Sequence, residues 1–164
     1  MDSQLFIKPL FSIHPFDWHA IGAGLLSGVF IGLERQLRGK PVGIRTSVLI
    51  ILGTYVFVHT AQVISVETTD TARIIGQVIT GIGFLGAGVM LSRDGIVMGV
   101  TSAATIWALA AIGICIGIGH YLTAIKLSLI VVTVLLGVDL MEEYFQSLTM
   151  GVHQKFSNWK DKKW

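Results

Sequence analysis

The sequence predicts an all-α, polytopic membrane protein with about five transmembrane helices. Its 164 residues are 52% hydrophobic and only 13% charged, with a mean hydropathy of +0.72, whereas soluble domains carry roughly 25% charged residues. Several apolar runs also have the length of about 20 residues that a helix needs to cross about 30 Å of hydrocarbon. Lysine and arginine gather on one side of these runs, which predicts the N-terminus outside and the C-terminus in the cytoplasm.

Five apolar runs define the predicted helices, and their boundaries divide the chain into three parts. A leader over 1–16 is expected to lie at the membrane interface, because aromatic residues favour the headgroup region. A five-helix transmembrane domain follows over 17–141. The last segment, 142–164, is expected to form a basic amphipathic helix on the cytoplasmic membrane surface, with docking on the protein itself as the alternative. The predicted spans cover 17–33, 46–65, 74–91, 100–118 and 121–140.

The stretch GIGFLGAG contains the G-x-G-x-x-G pattern of dinucleotide-binding loops, but it lies inside the third apolar run. That pattern binds a pyrophosphate only within a βαβ unit, so the nucleotide interpretation fails. In lipid, small residues instead let helix backbones approach closely. We therefore predict a tight centre of the first, third and fourth helices; a broken helix lining a substrate cavity is the alternative. The predicted packing glycines are Gly24, Gly28, Gly32, Gly81, Gly83, Gly86 and Gly88.

A group of charged and polar residues lies where the first and second spans meet the cytoplasm: Glu34, Arg35, Arg45 and Thr46. One interpretation is topological, because basic residues hold a loop inside. The other is a charge cluster, with Glu34 paired to Arg45 or Arg35, that contacts a partner or gates a cavity.

Five polar residues fall on the third and fourth spans: Gln77, Thr80, Thr101, Ser102 and Thr105. Interhelical hydrogen bonds, each contributing about 0.6 kcal/mol, are the favoured interpretation. A polar path lined by Gln77, Thr105 and His59 is the alternative.

Three acidic residues at the end of the fifth span, Asp139, Glu142 and Glu143, share one helical face. A solvated acidic rim is the favoured interpretation, and a weak Mg²⁺ sensor is the alternative, since Mg²⁺ retains much of its water. The sequence predicts no other cofactor.

Several functional classes are excluded on the sequence. Cys115 is the single cysteine, so no intrachain disulfide or cysteine cluster forms. Ser27 and Ser47 fall toward the inner side and His59 and His120 toward the outer side, which separates any serine nucleophile from its base. We therefore expect no enzyme. The basic residues are explained by topology, so no nucleic-acid binding is expected.

Three segments, in this order, resemble the MgtC/SapB family of bacterial inner-membrane proteins: GLLSGVFIGLERQLRGKPVGIRT, RIIGQVITGIGFLGAGVML and GVTSAATIWALAAIGICIGIGHY. The resemblance implies a role in growth under magnesium limitation, acid adaptation and survival in host phagocytes. It also implies a regulator that acts on membrane partners such as the F-type ATP synthase. The sequence departs from the family in two places. It is expected to be a short form without the soluble ACT-like C-terminal domain, and Ile96 and Met98 stand where related sequences often place polar or basic residues.

Taken with the resemblance, the sequence predicts a multi-pass regulator of membrane energetics or ion homeostasis that lies in lipid and contacts other membrane proteins. A small transporter or channel for Mg²⁺ or another small solute is the alternative. Long glycine faces predict self-association, and a two-fold dimer is the commonest closed arrangement.

Overall fold

The structure is a computed structural model that describes residues 12–64, 68–93 and 96–144. The tail beyond 144 and the first eleven residues of the leader lie outside the described part, so their predicted positions at the membrane surface stay predictions. Over the described residues the chain is all-α apart from one hairpin, which confirms the predicted fold class. The elements are α1 Trp18–Leu37, α2 Ile44–Ile64, α3 Thr68–Gly88, β1 Leu91–Arg93, β2 Ile96–Met98, α4 Val100–Gly117 and α5 Tyr121–Tyr144.

Three of the five helices are long and apolar enough to cross a membrane. They are α2, α4 and the Tyr121–Val138 part of α5. The other two helices, α1 and α3, have a spanning length of 20 and 21 residues but are less apolar. The five predicted helices are therefore present, and membrane crossing by α1 and α3 stays a prediction.

α1 packs against α2 through the glycine stripe of α1. A Cβ atom added at Gly24 would lie 2.9 Å from Leu52 Cδ2, and one added at Gly28 would lie 2.8 Å from Val48 Cα. At Gly32 an added Cβ would overlap the backbone of Ile44. A side chain at Gly28 or Gly32 would meet the backbone of α2 and push the helices apart, so these glycines lie where α1 and α2 approach most closely.

α4 packs against a neighbouring side of α2, again through glycines. A Cβ added at Gly113 would lie 2.6 Å from Thr54 Cβ and 2.7 Å from Ile51 O, and one added at Gly117 would lie 2.7 Å from Val58 Cβ. The two glycines are four residues apart and share one helical face. α2 is therefore held between two helices that both approach it through glycine.

The predicted tight centre of helices one, three and four is wrong, because α2 occupies the place assigned to α3. Within α3, an added Cβ meets no atom within 4 Å at Gly81, Gly83 or Gly88, and only Gly86 packs, against Ala103 of α4. α1 and α3 share no extensive contact. The physical reason is that a thin glycine face packs best against a ridge of branched side chains, which α2 carries at Val48, Ile51, Thr54 and Val58.

The hairpin between α3 and α4 was not predicted. β1 and β2 pair antiparallel, with Leu91 opposite Met98 and Ser92 opposite Val97. Gly99 ends the hairpin with a φ of +86°, and an added Cβ there would overlap the carbonyl oxygen of Val89. Glycine is required at this position both by the left-handed backbone and by the close approach.

The packing contacts also define the helix directions. Gly24 lies opposite Leu52 and Gly32 opposite Ile44, so α1 and α2 are antiparallel; Gly113 lies opposite Thr54, so α2 and α4 are parallel. The loop 38–43 and the hairpin therefore lie at one end of the bundle, called the loop end below. The predicted grouping of basic residues matches this end, and the side of the membrane that it faces stays a prediction.

Replacing Gly28 by alanine tests the close approach of α1 and α2. We expect Gly28→Ala to destabilise the protein by about 1–3 kcal/mol, because the new methyl group meets the backbone of Val48 rather than a mobile side-chain end. Gly22→Ala on the same helix is the matched control, since its Cβ meets nothing within 4 Å. The measurement is the thermal midpoint of purified protein in detergent. Equal midpoints for both variants would contradict the packing described here.

Candidate functional site

A buried charge cluster lies near the loop end of α1. Arg35 donates from Nη2 to Glu34 Oε1 at 2.7 Å and from Nε to Glu34 Oε2, which makes a bidentate pair. Glu34 is 6% exposed and Arg35 is 2% exposed. Arg38 Nε lies 3.4 Å from Glu34 Oε1, one helical turn further on. Two guanidinium groups thus surround one carboxylate that is almost completely removed from solvent.

The loop 38–43 folds back over this cluster. The backbone N–H of Lys40 donates to the carbonyl of Arg35 at 2.9 Å, and Gly39 adopts a φ of +62°. Val42 has a φ of +70° and is buried, although a β-branched residue rarely adopts that conformation. The Ser47 hydroxyl donates to the Val42 carbonyl at 3.1 Å. A strained residue is therefore held in place by the first turns of α2.

Arg45 and Thr46, the other two predicted members of the cluster, lie apart from it. Both are exposed, and Glu34 pairs with Arg35 and Arg38 rather than with Arg45. Of the two predicted pairings, the structure therefore has the one with Arg35. The contribution of Arg38 was missed, although its spacing of four residues from Glu34 could have indicated it.

The polar residues of the helix interior mostly satisfy their own helices. Thr105 donates to the carbonyl of Thr101 at 2.8 Å, and Thr80 donates to the carbonyl of Gly76 at 2.9 Å. Thr105 is buried, as is Ser102. Each of these two threonine hydroxyls donates to a carbonyl of its own helix, so they do not form the interhelical hydrogen bonds that the sequence predicted.

The predicted polar path does not come together. His59 Nε2 donates to the Pro15 carbonyl at 2.8 Å, in the segment just before α1. Gln77 instead lines an open groove between α2 and α3 that includes neither His59 nor Thr105. The buried hydroxyl of Ser27 has no hydrogen-bond partner in the described part of the chain.

The α2–α3 groove has a volume of about 670 Å³ and is lined mainly by apolar side chains. Thr46 and Leu85 line its loop end, and Phe57 and Ile74 line the opposite end. Gly53 and Gly81 lie between these ends. The size is within the range of about 300–1,000 Å³ that is typical of small-ligand sites.

A second cluster, at the end opposite the loop, joins the segment before α1 to α2 and α5. The buried Tyr55 hydroxyl accepts from the Asp17 backbone N–H at 3.0 Å. The rings of Phe16, Tyr55 and His59 pack in edge-to-face or tilted arrangements with their centroids 5.5–5.9 Å apart. The backbone N–H and the ring of His19, together with the Tyr121 hydroxyl, donate to Asp17 and hold the pKa of this carboxyl below its ordinary value of 3.8. These contacts fasten the entry to α1.

The structure leaves the predicted acidic magnesium site untested. Asp139, Glu142 and Glu143 all lie on α5, but their side chains are outside the described part. Among the side chains that are described, no three His, Cys, Asp or Glu residues are grouped so as to hold a metal ion.

Comparison with known proteins gives a consistent result across most of the chain. The model of the MgtC family matches residues 21–144, which include the charge cluster and all five helices except the first three residues of α1. No solved structure matches this chain.

Curated relatives match the same region. The chain is 42% identical over 132 residues to "Putative magnesium transporter YhiD" of Escherichia coli K12, which covers 76% of this chain and 58% of that protein. It is 38% identical over 109 residues to "Protein MgtC" of Salmonella typhimurium LT2, covering 66% of this chain and 46% of that protein. A protein of Haemophilus influenzae is 40% identical over 134 residues, or 76% of this chain and 56% of its own. The chain thus spans about half the length of these relatives.

Removing one partner of the buried ion pair is expected to be costly. Glu34→Gln leaves the Arg35 guanidinium buried beside a neutral amide, and we expect a loss of about 3–5 kcal/mol in the free energy of unfolding. The double variant Glu34→Gln with Arg35→Gln is expected to lose less than the sum of the two single variants, which a double-mutant cycle in detergent measures. Arg45→Gln is the control, because Arg45 is exposed. Additive effects at positions 34 and 35 would contradict the pairing.

The lowered pKa of Asp17 predicts a pH dependence of stability. A carboxyl whose pKa is lower in the folded protein stabilises the fold above its ordinary pKa of 3.8, and this contribution is lost as the pH falls through the folded value. Asp17→Asn keeps a good N-cap residue but removes the charge. We expect wild type to be the more stable protein at pH 6 and the difference to shrink as the pH falls below the ordinary carboxyl pKa of 3.8. A thermal-midpoint difference that does not change with pH would rule this out.

Proposed function

Since the chain belongs to the MgtC family, we propose that it is a non-enzymatic regulator in the bacterial inner membrane that adapts ion homeostasis and membrane energetics to magnesium limitation. Family membership and the magnesium-related name of the E. coli relative support a magnesium-related membrane function. The proposed regulator acts by contact with another membrane protein, and the resemblance suggests the F-type ATP synthase as that partner. The same resemblance supports a role in virulence and stress adaptation.

The observation that carries this proposal is the closed centre of the bundle. α1, α2 and α4 meet at backbone distance through Gly28, Gly32, Gly113 and Gly117, so the space where a solute would pass is filled by the helices. The exposed Lys40 of the loop 38–43 and the exposed Arg45 of α2 lie at the end of the bundle, where a partner can reach them. A protein with this closed centre is better suited to contacting another protein than to conducting a solute.

A partner surface at the loop end follows from the charges there. The Glu34 carboxylate is neutralised within the cluster, whereas Arg45 and Lys40 are exposed. The loop 38–43 and the first turn of α2 therefore present two exposed positive charges on a backbone that is hydrogen-bonded to α1 and α2. Such a surface suits the acidic cytoplasmic face of a membrane protein.

Transport is the second candidate, and the name of the E. coli relative is what favours it. In a transporter, Gln77 would be the polar group that the solute meets in the α2–α3 groove. The proposed dimer is a separate matter, for which the open glycines Gly76 and Gly83 of α3, seven residues apart on one helical face, provide a thin surface. Native mass spectrometry in nanodiscs that shows only monomer would remove the dimer.

Magnesium flux and magnesium-limited growth separate the two candidates. We expect purified wild-type protein in liposomes with an enclosed Mg²⁺ dye to show no flux above protein-free liposomes, and the same protein to restore growth of a deletion strain in low magnesium. Flux that Gln77→Leu abolishes would favour transport and contradict regulation.

Variants at the loop end test the contact surface itself. We expect Arg45→Ala to lower growth in low magnesium and to reduce co-purification of the membrane partner at normal expression, because it removes an exposed charge. Thr123→Ala is the matched control, since Thr123 is exposed near the start of α5, at the opposite end of the bundle. If Arg45→Ala and Glu34→Gln both leave growth intact, the contact surface lies elsewhere.

A further inference from the structure

The α2–α3 groove exists because two facing helices lack side chains. Gly53 on α2 and Gly81 on α3 both line it, and an added Cβ at either position meets no atom within 4 Å. The rim is apolar and open, with Leu49 and Phe57 each 64% exposed. An exposed apolar hollow of this size indicates a bound apolar ligand.

The length of the groove matches one leaflet of a bilayer. On α2 its lining runs from Thr46 to Phe57, which corresponds to about 16 Å of helix. Half of a hydrocarbon core of about 30 Å is about 15 Å. A transmembrane helix bound alongside would contact the protein over the full thickness, about twice that length. The groove therefore fits an acyl chain better than a helix.

The mouth of the groove carries a positive charge. Arg45 immediately precedes Thr46, is exposed, and has no ion-pair or hydrogen-bond partner among the described residues. It lies in the first turn of α2, where free backbone N–H groups and the helix dipole also favour an anion. The Thr46 hydroxyl provides a further donor at the same place. A phosphate is the anion that this combination of groups recognises.

We propose that the α2–α3 groove is a binding site for one anionic phospholipid, with an acyl chain between Gly53 and Gly81 and the phosphate at Arg45 and Thr46. The basic residues of the loop end predict that this end faces the cytoplasm, where anionic lipids give the leaflet its negative surface potential. The site does not depend on the regulatory role proposed above, and it would operate equally in a transporter.

Native mass spectrometry of the purified full chain in detergent tests the site. Dioleoylphosphatidylglycerol and dioleoylphosphatidylcholine are added separately at matched concentrations, and the occupancy of lipid adducts is compared. We expect wild type to prefer the anionic lipid by about fivefold, which is the effect of one basic residue near a membrane surface. Arg45→Gln is expected to lower the anionic adducts to the level of the zwitterionic ones. Equal occupancy by both lipids in wild type would overturn the proposal.

Filling the groove provides the second arm of the experiment. Gly81→Leu and Gly53→Leu place a side chain in the open space and are expected to remove the adducts of both lipids. Gly83→Leu is the matched control, because Gly83 has equal room but lies outside the groove. Anionic adducts that persist unchanged in both filling variants would place the lipid elsewhere and refute the site. Circular dichroism and monodisperse elution from a sizing column check that each variant is folded. If neither filling variant folds, an unchanged lipid preference in Arg45→Gln is sufficient to refute the site.

Gln77 distinguishes the lipid from a helical occupant. Its amide lines the groove near the middle of α3, where a partner helix would have to supply a hydrogen bond and an acyl chain would not. We expect Gln77→Leu to keep the anionic preference. If Gln77→Leu loses an adduct with the mass of a protein, and Arg45→Gln leaves the lipid adducts unchanged, the groove binds a helix and the lipid proposal is overturned.

Discussion

The structure depends on the approach of two glycine faces to one helix. α2 presents branched side chains, and α1 and α4 meet them with Gly24, Gly28 and Gly32 on one side and Gly113 and Gly117 on the other. In lipid the hydrophobic effect does not drive helices together, so close van der Waals contact between backbones must supply the stability. Once α2 is held in this way, the directions of α1 and α4 are determined. The positions of the two polar ends of the bundle follow from these directions.

A closed centre leaves polar chemistry to the two ends of the bundle. At the loop end, Glu34 lies between Arg35 and Arg38, and the return of the chain through Val42 is held by Ser47 of α2. At the other end, the Asp17 backbone bonds to Tyr55 of α2. Both clusters therefore use α2 as their fixed support.

Much of the fold could be predicted from local sequence, and less of the site could. The five helices follow from runs of apolar residues, and the spacing of Gly24, Gly28 and Gly32 puts the first glycine stripe on one face, which lies against α2. The prediction of which helices pack together was wrong, because glycine spacing shows that a helix face is thin but does not show which neighbouring helix packs against it. The same limit explains Arg45: being near Glu34 along the predicted loop did not make it the partner, because the helix continues to Leu37 and brings Arg38 into reach.

α3 differs from its neighbours in a way that bears on function. Four of its glycines face open space, and among the described glycines of α3 only Gly86 has a contact, with Ala103 of α4. A helix held so loosely on one side leaves a groove against α2, and that groove opens outward rather than through the bundle. Unfilled glycine surface in a membrane is costly unless lipid or protein covers it, because bare backbone loses dispersion contacts. The exposed side of α3 is therefore a surface that lipid or another protein would cover in a membrane.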